Sequence, residues 1–201
     1  MFESILCQVT EHDPEVLESL IGLAVEIARE GREGRRVGTL FTLGDEKAVL
    51  AKSRPLILDP LLGHPESSRH VTNLNLRGTI KELAQLDGGF VVSCDGFVLS
   101  ACRYLDAVAA QVDVPLGLGS RHIAAANMSA VTKAVGIVVS ESSVAVFLSW
   151  TIGRRNYSRG LDDGSRRPPG WYREEGTSGR TDDSDTKPSA EPCLCRPGDR
   201  V

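Results

Sequence analysis

The residues able to do chemistry in this chain sit in three short stretches, and the most suggestive is LGSRHIAAA at positions 118–126. Arg121 and His122 stand side by side at the head of an alanine-rich run, where a helix of good formers should begin. The first turn of a helix has amide groups without intrahelical partners and a partial positive charge, so it attracts anions. After Leu118, Gly119 allows close approach to the backbone, Ser120 offers a hydroxyl, and Arg121 and His122 add directed donors. Together they suit a phosphate. The same residues also fit a plain helix start with a solvent-facing arginine and a histidine satisfied by its neighbours.

The second stretch is LDGG at 86–89, which places the Asp87 carboxylate before Gly88, Gly89 and an apolar FVV. A carboxylate with open backbone beside it suits a metal ligand or a group that helps activate a hydroxyl. It equally suits a helix C-cap with a glycine at positive φ and a solvated aspartate. The third stretch, VVSESS at 138–143, ends an apolar run in the Ser140 hydroxyl and the Glu141 carboxylate. An ordinary hairpin turn explains it as well, and Asp95-Gly96 reads as a structural turn.

The elements that must position these groups follow from periodicity and punctuation. PEVLESLIGLAVEIARE, from Pro14 to Glu30, repeats its apolar residues at helical spacing, with Asp13 as cap, Pro14 in the first turn and Gly31 as stop. VGTLFTL reads as a buried strand, and Gly44-Asp45 as a turn into a second strand around residues 48–51. Residues 55–75 are punctuated by Pro55, Pro60, Gly63 and Pro65 and read as loop. A helix is expected from Gly78, with Thr79 and Glu82 as a capping box, ending at Asp87-Gly88-Gly89. Residues 90–101 form an expected hairpin turning at SCDG. SRHIAAANMSAVTKAV is expected to be helical, and GIVVS with VAVFLSW makes a second hairpin. From this order the expected fold class is α/β of the α+β type: a mixed, mostly antiparallel sheet flanked by helices.

Composition narrows the function class. The chain has 201 residues, 41% hydrophobic and 25% charged, enough for one domain with a real core. A net charge of −4 and only 5% aromatic residues give no footing for nucleic acid. No apolar run reaches the roughly 18 to 20 residues that cross a bilayer, and the N-terminus lacks the basic and apolar regions of a signal peptide. The expectation is a cytoplasmic protein with no membrane partner. The five cysteines, Cys7, Cys94, Cys102, Cys193 and Cys195, are odd in number and scattered, and read as reduced thiols. A domain over residues 1–152 is expected to give way to a disordered polar tail over 153–201, where Gly, Pro, Ser, Asp and Arg dominate.

Taken in order, Asp87-Gly88-Gly89, Leu118-Gly119-Ser120-Arg121-His122 and Val138-Val139-Ser140-Glu141 resemble the three motifs of the diadenylate cyclase family: Asp-Gly-Ala, Arg-His-Arg after Leu-Gly-Thr, and Val-Val-Ser-Glu. The resemblance runs from about Val16 to Phe147 and is nearest to the stand-alone, archaeal-type members. It implies an enzyme that condenses two ATP molecules into cyclic di-AMP and releases pyrophosphate. One ATP would bind per domain, two domains would meet face to face as a homo-oligomer, and a lone domain would bind ATP without turnover. It implies catalytic roles for Asp87, Arg121 and His122. ATP would be held by Asp87, Gly88, Gly89, Leu118, Gly119, Ser120, Arg121, His122 and Ser140. Glu141 and Asp87 would be ligands for Mg²⁺ or Mn²⁺.

Two departures stand out. Gly89 replaces the family's alanine, and Ile123 replaces the second arginine, which removes a cation from the site. The rival reading is therefore a weak or inactive relative that senses ATP or cyclic di-AMP. A third is an interaction module that recruits partners through its tail.

Overall fold

The structure is a computed structural model, which describes residues 12–106, 118–141, 146–152 and 155–161, with only the backbone course from 150 onward. Helix α1, Pro14–Glu30, forms as its punctuation dictates. The Asp13 carboxylate accepts a hydrogen bond from the Glu15 amide at 2.9 Å, and the chain leaves the helix at Gly31 with φ 57°. Its apolar stripe, including Leu17, Leu20, Ile21, Ala24 and Ile27, is buried.

Strand β1, Thr39–Leu43, is buried at all five residues, as befits a strand covered on both faces. The expected strand at 48–51 is instead helix α2, Glu46–Ala51. Asp45 takes a left-handed conformation (φ 43°) that turns the chain, and Glu-Lys-Ala is favourable helix sequence. Only Val49 is fully buried there, which does not supply the alternation a strand requires.

After β2, Ser53–Pro55, and a short 3₁₀ turn, helix α3 spans Leu74–Leu83. It starts four residues before the expected Gly78, capped by Asn73, whose side chain accepts from the Asn75 amide at 3.0 Å. Thr79 thus lies inside the helix and bonds back to the Asn75 carbonyl. Packing of Leu76 and Ile80 outweighs the modest cost of Gly78 in the interior. Strands β3, Gly89–Val92, and β4, Val98–Leu105, form the first expected hairpin. Helix α4, Ser120–Val131, ends four residues before the expected helical segment does. There the Thr132 hydroxyl bonds to the Met128 carbonyl, and the Lys133 amide donates to the Asp45 carboxylate. Strands β5, Val135–Val139, and β6, Val146–Ile152, form the second hairpin.

A further strand, β7, occupies Arg155–Leu161 and pairs antiparallel with β6 along its whole length. The expectation of a disordered tail from 153 therefore does not hold for this segment. Polar residues there escaped the strand pattern because an edge strand is stabilised by backbone pairing and needs little burial of its own. Residues 162–201 lie outside the described residues.

The seven strands make one sheet in the order β2-β4-β3-β1-β5-β6-β7. Only β1 and β3 run parallel, with Phe41 beside Phe90; every other neighbouring pair is antiparallel. The expected fold class is thereby borne out. Pleating sends alternate residues of the central strands to two cores. Phe41, Phe90, Val92, Ile137 and Val139 pack with α1 and α3, while Leu40, Val91 and Val138 pack with Ala125 and Met128 of α4. Among the described residues no helix is long and apolar enough to cross a membrane.

Helices α1 and α3 are also joined by ion pairs of Arg77 and Lys81 with Glu26, and of Lys81 with Glu30. Burial pushes the Glu26 carboxyl up, but hydrogen bonds from Lys81 and Arg77 outweigh it and bring the group below its ordinary range.

On the opposite face, α4 rests directly on β5. A Cβ placed at Gly136 would come within 2.8 Å of the Ala125 Cβ, so this approach exists because position 136 has no side chain. The Ser129 and Ser149 hydroxyls, both buried, meet at 2.9 Å and tie the helix to β6. Gly136→Val should therefore overpack the contact and lower unfolding free energy by about 1–3 kcal/mol, read from the urea midpoint. An unchanged midpoint would contradict this packing.

Candidate active site at the edge of the central strands

Because β1 and β3 are parallel and β1 and β5 antiparallel, the starts of β1 and β3 and the end of β5 reach the same edge of the sheet. Thr39 at the start of β1 stands opposite Val139 at the end of β5. Asp87 lies just before β3 and Glu141 just after β5, so two of the three motifs are brought to one place by strand order alone. The third arrives from α4, whose N-terminal end carries Arg121.

Arg121 bridges the other two. Its Nη2 lies 3.6 Å from Asp87 Oδ1 and its Nη1 lies 3.8 Å from Glu141 Oε2. Both separations exceed hydrogen-bond length, so charge attraction orients the guanidinium without saturating its donors. The Asp87 side chain is 91% exposed and that of Glu141 64%, while Arg121 is two-thirds covered at 33%. The arginine is the anchored member of the trio.

The other candidates lie along the same three chain segments. Gly88 has φ 99°, and a Cβ there would strike the backbone of Cys102 and Arg103 at 2.6–2.9 Å, so the turn ahead of β3 requires glycine. Gly89 opens β3, where a Cβ would meet the Leu40 carbonyl at 3.1 Å, a tight but adjustable fit. Gly119 is the N-cap of α4, Ser120 is its first residue, and Leu118 is half-buried ahead of them. Ser140 is buried directly after β5. Ile123 is 45% exposed on the first turn of α4.

His122 turns to a different neighbour. Its ring packs edge-on against Phe147 of β6, with centroids 4.6 Å apart, and is not brought to the carboxylates. Nδ1 and Nε2 are both buried without a hydrogen-bond partner among the described residues. Burial lowers the pKa of this histidine. The nearby Gly119 carbonyl, not at hydrogen-bonding geometry, raises it, and the Arg121 charge lowers it again. The ring is therefore neutral near pH 7. Phe147 went unrecognised in the sequence because nothing in a strand pattern says which helix residue will cover it.

Among the described residues, no three or more His, Cys, Asp or Glu side chains cluster as a ready-made metal site. Asp87 and Glu141 do present exposed carboxylate oxygens toward the same guanidinium. Mg²⁺ and Mn²⁺ favour such hard oxygen donors, and a Mg²⁺ ion commonly takes one or two carboxylates, with phosphate oxygens and water completing its shell. In donor chemistry each of the two residues fits a cation of this kind. Elsewhere, Cys102 is a buried free thiol whose pKa is raised by burial and then by the Asp59 carboxylate.

Fold and site together define an α/β/α protein with a carboxylate–guanidinium–carboxylate centre at one edge of its central strands. The family described as DAC, the DisA bacterial checkpoint controller nucleotide-binding family, matches residues 26–150, more than half of the chain, and the chain belongs to it. It is similar to a protein named diadenylate cyclase from Methanocaldococcus jannaschii, 46% identical over 132 residues, covering 66% of this chain and 41% of that relative. A diadenylate cyclase from Haloferax volcanii is 41% identical over 130 residues, covering 65% of this chain and 47% of the relative. The matched segment thus spans less than half of either relative. Among solved structures, DacA from Staphylococcus aureus aligns with a TM-score of 0.47 at 18% identity, over 72% of this chain and 85% of its own. The family resemblance read from the three motifs is borne out.

The state of His122 has a consequence for stability. The folded chain resists protonating this ring, whereas the unfolded chain takes up the proton near the ordinary value of about 6.5. Its contribution is thus fully present above that pH and is lost as the pH falls through the lower folded value. The unfolding free energy of the wild type relative to His122→Phe should fall as the pH is lowered from about 7.5 to about 5. Urea titrations of the two proteins measure this, and a difference that does not vary with pH would show that the ring is not held neutral.

Proposed function

We propose that this chain is a diadenylate cyclase domain that condenses two ATP molecules into cyclic di-AMP with release of two pyrophosphates. The observation that carries the reading is the meeting of Asp87, Arg121 and Glu141, drawn from three separate motifs, around one guanidinium. The similarity to two proteins named diadenylate cyclase supports it.

In this reading each domain binds one ATP. The amides at the head of α4, the Ser120 hydroxyl and the Arg121 guanidinium hold its phosphates, aided by Ser140. Leu118, Gly119, Gly88 and Gly89 line the approach. The 3′-oxygen of one nucleotide bonds to the α-phosphorus of the other as the bond to pyrophosphate breaks, and the hydroxyl proton leaves toward Asp87. Asp87 and Glu141 would hold Mg²⁺ or Mn²⁺, which when bound neutralises negative charge on the phosphates. Such transfers rest on positioning and charge neutralisation, and one site cannot align two nucleotides. A face-to-face pair related by two-fold symmetry supplies that alignment. The exposed apolar side chains of Leu86, next to Asp87, and Ile123, two residues from Arg121, are suited to a face that another protein surface covers. His122 joins the phosphates only if its ring leaves Phe147, and its two unpaired nitrogens would gain partners by doing so.

The exposed Ile123, standing where a second arginine is usual, favours one alternative: a relative that binds the nucleotide without turning it over. Incubation of purified protein with ATP and Mn²⁺, followed by chromatography, separates the two. Cyclic di-AMP is expected, with a rate that rises more steeply than linearly in protein at low concentration. Arg121→Ala and Asp87→Asn should each lower that rate by about 10²–10³-fold. Full activity in both variants would refute the assignment of the site, and bound ATP without product would favour the sensor.

A further inference from the structure

Gly38 immediately precedes β1, the strand that separates β3 from β5, and it is buried. A Cβ built there would lie 3.0 Å from Arg121 Nη1, 3.1 Å from the Glu141 Cβ and 3.3 Å from the Glu141 amide nitrogen. These are tighter than ordinary van der Waals contact, and the three neighbours differ in how they can yield. The Glu141 atoms are a backbone nitrogen and the first side-chain carbon, two residues beyond the last residue of β5 paired with β1, and have little freedom of their own. The guanidinium sits at the end of a flexible side chain tethered by two ion pairs of 3.6 and 3.8 Å. An added methyl group would therefore displace the arginine first.

We propose that Gly38 is a positioning residue: its missing side chain is the berth in which the Arg121 guanidinium lies between Asp87 and Glu141. The inference rests on the reading of the site given above and adds a residue that touches none of the reacting atoms. Gly38 does not occupy the left-handed region that would itself demand glycine, so alanine is compatible with its backbone. Gly38→Ala thus tests the berth and little else. With the berth narrowed, the guanidinium has to shift by a few tenths of an ångström from its place between the two carboxylates, which weakens its contact with a phosphate at the head of α4.

The test has a structural and a binding arm, both on the full chain. The Nε–Hε resonance of Arg121, assigned by its loss in Arg121→Lys, should move in Gly38→Ala while the thermal midpoint stays within about 2 °C of wild type. The probe for binding is 3′-deoxy-ATP, which lacks the attacking hydroxyl and cannot be condensed. Its affinity should fall about tenfold in Gly38→Ala, the size expected for a weakened charge-assisted contact, with KM for ATP rising in parallel. In an Arg121→Ala background the same substitution should change affinity by less than about twofold, because the group it displaces is gone. An unmoved Arg121 resonance overturns the berth whatever the activity. So does a loss of affinity that persists undiminished in the Arg121→Ala background. A moved resonance in a protein that binds no nucleotide upholds the berth and sinks the proposed function instead.

Discussion

The constraint on which the rest depends is the adjacency of β3, β1 and β5 in the middle of the sheet. Parallel pairing of β1 with β3 requires a crossover, which α2, β2 and α3 provide along the chain between them. Antiparallel pairing of β1 with β5 then brings the end of β5 beside the start of β1. With that order, Asp87 and Glu141 sit on either side of Gly38 before any side chain has interacted. With β1 elsewhere in the sheet, Gly38 would not lie between the two carboxylates.

Magnitudes show that the scaffold holds the site and the site does not hold the scaffold. Ion pairs as exposed and as long as those of Arg121 contribute about 0–1 kcal/mol each, too little to organise three chain segments. Burial of α4 against β5 and β6 stabilises far more, since a single fully buried Met128 side chain contributes about 1.5–3 kcal/mol. The close contact of Ala125 with Gly136 sets the height of the helix over the sheet, and with it the reach of Arg121. A guanidinium placed by packing and only loosely paired keeps donors available for a ligand that carries more charge.

Local chemistry was legible wherever one signal dominated. Asp13, Pro14 and Gly31 bracket α1 so fully that the helix could be bounded from punctuation alone. Both hairpins were visible from apolar runs separated by short polar turns. Reading failed where two signals competed. Thr79 and Glu82 have capping-box spacing, yet Asn73 caps the helix because Leu76 and Ile80 draw an earlier turn into the core. Residues 46–51 hold too few apolar positions to separate helix from strand by period, and β7 is polar because pairing with β6 suffices for it.

The same division runs through the site. By itself, the sequence determined which side chains could meet an anion or a cation, in what order, and within which family, because residue type and spacing are local properties. Only the tertiary structure decided that Arg121 lies between Asp87 and Glu141 while its neighbour His122 packs against Phe147. Successive residues on a helix are about 100° apart, so one can reach the sheet edge while the next is packed inward, and which does so depends on how α4 is seated. That seating is set by Gly136 and Ala125, and the space Arg121 enters is left by Gly38. No linear pattern announces such a role, because a missing side chain acquires meaning only from what packs against it.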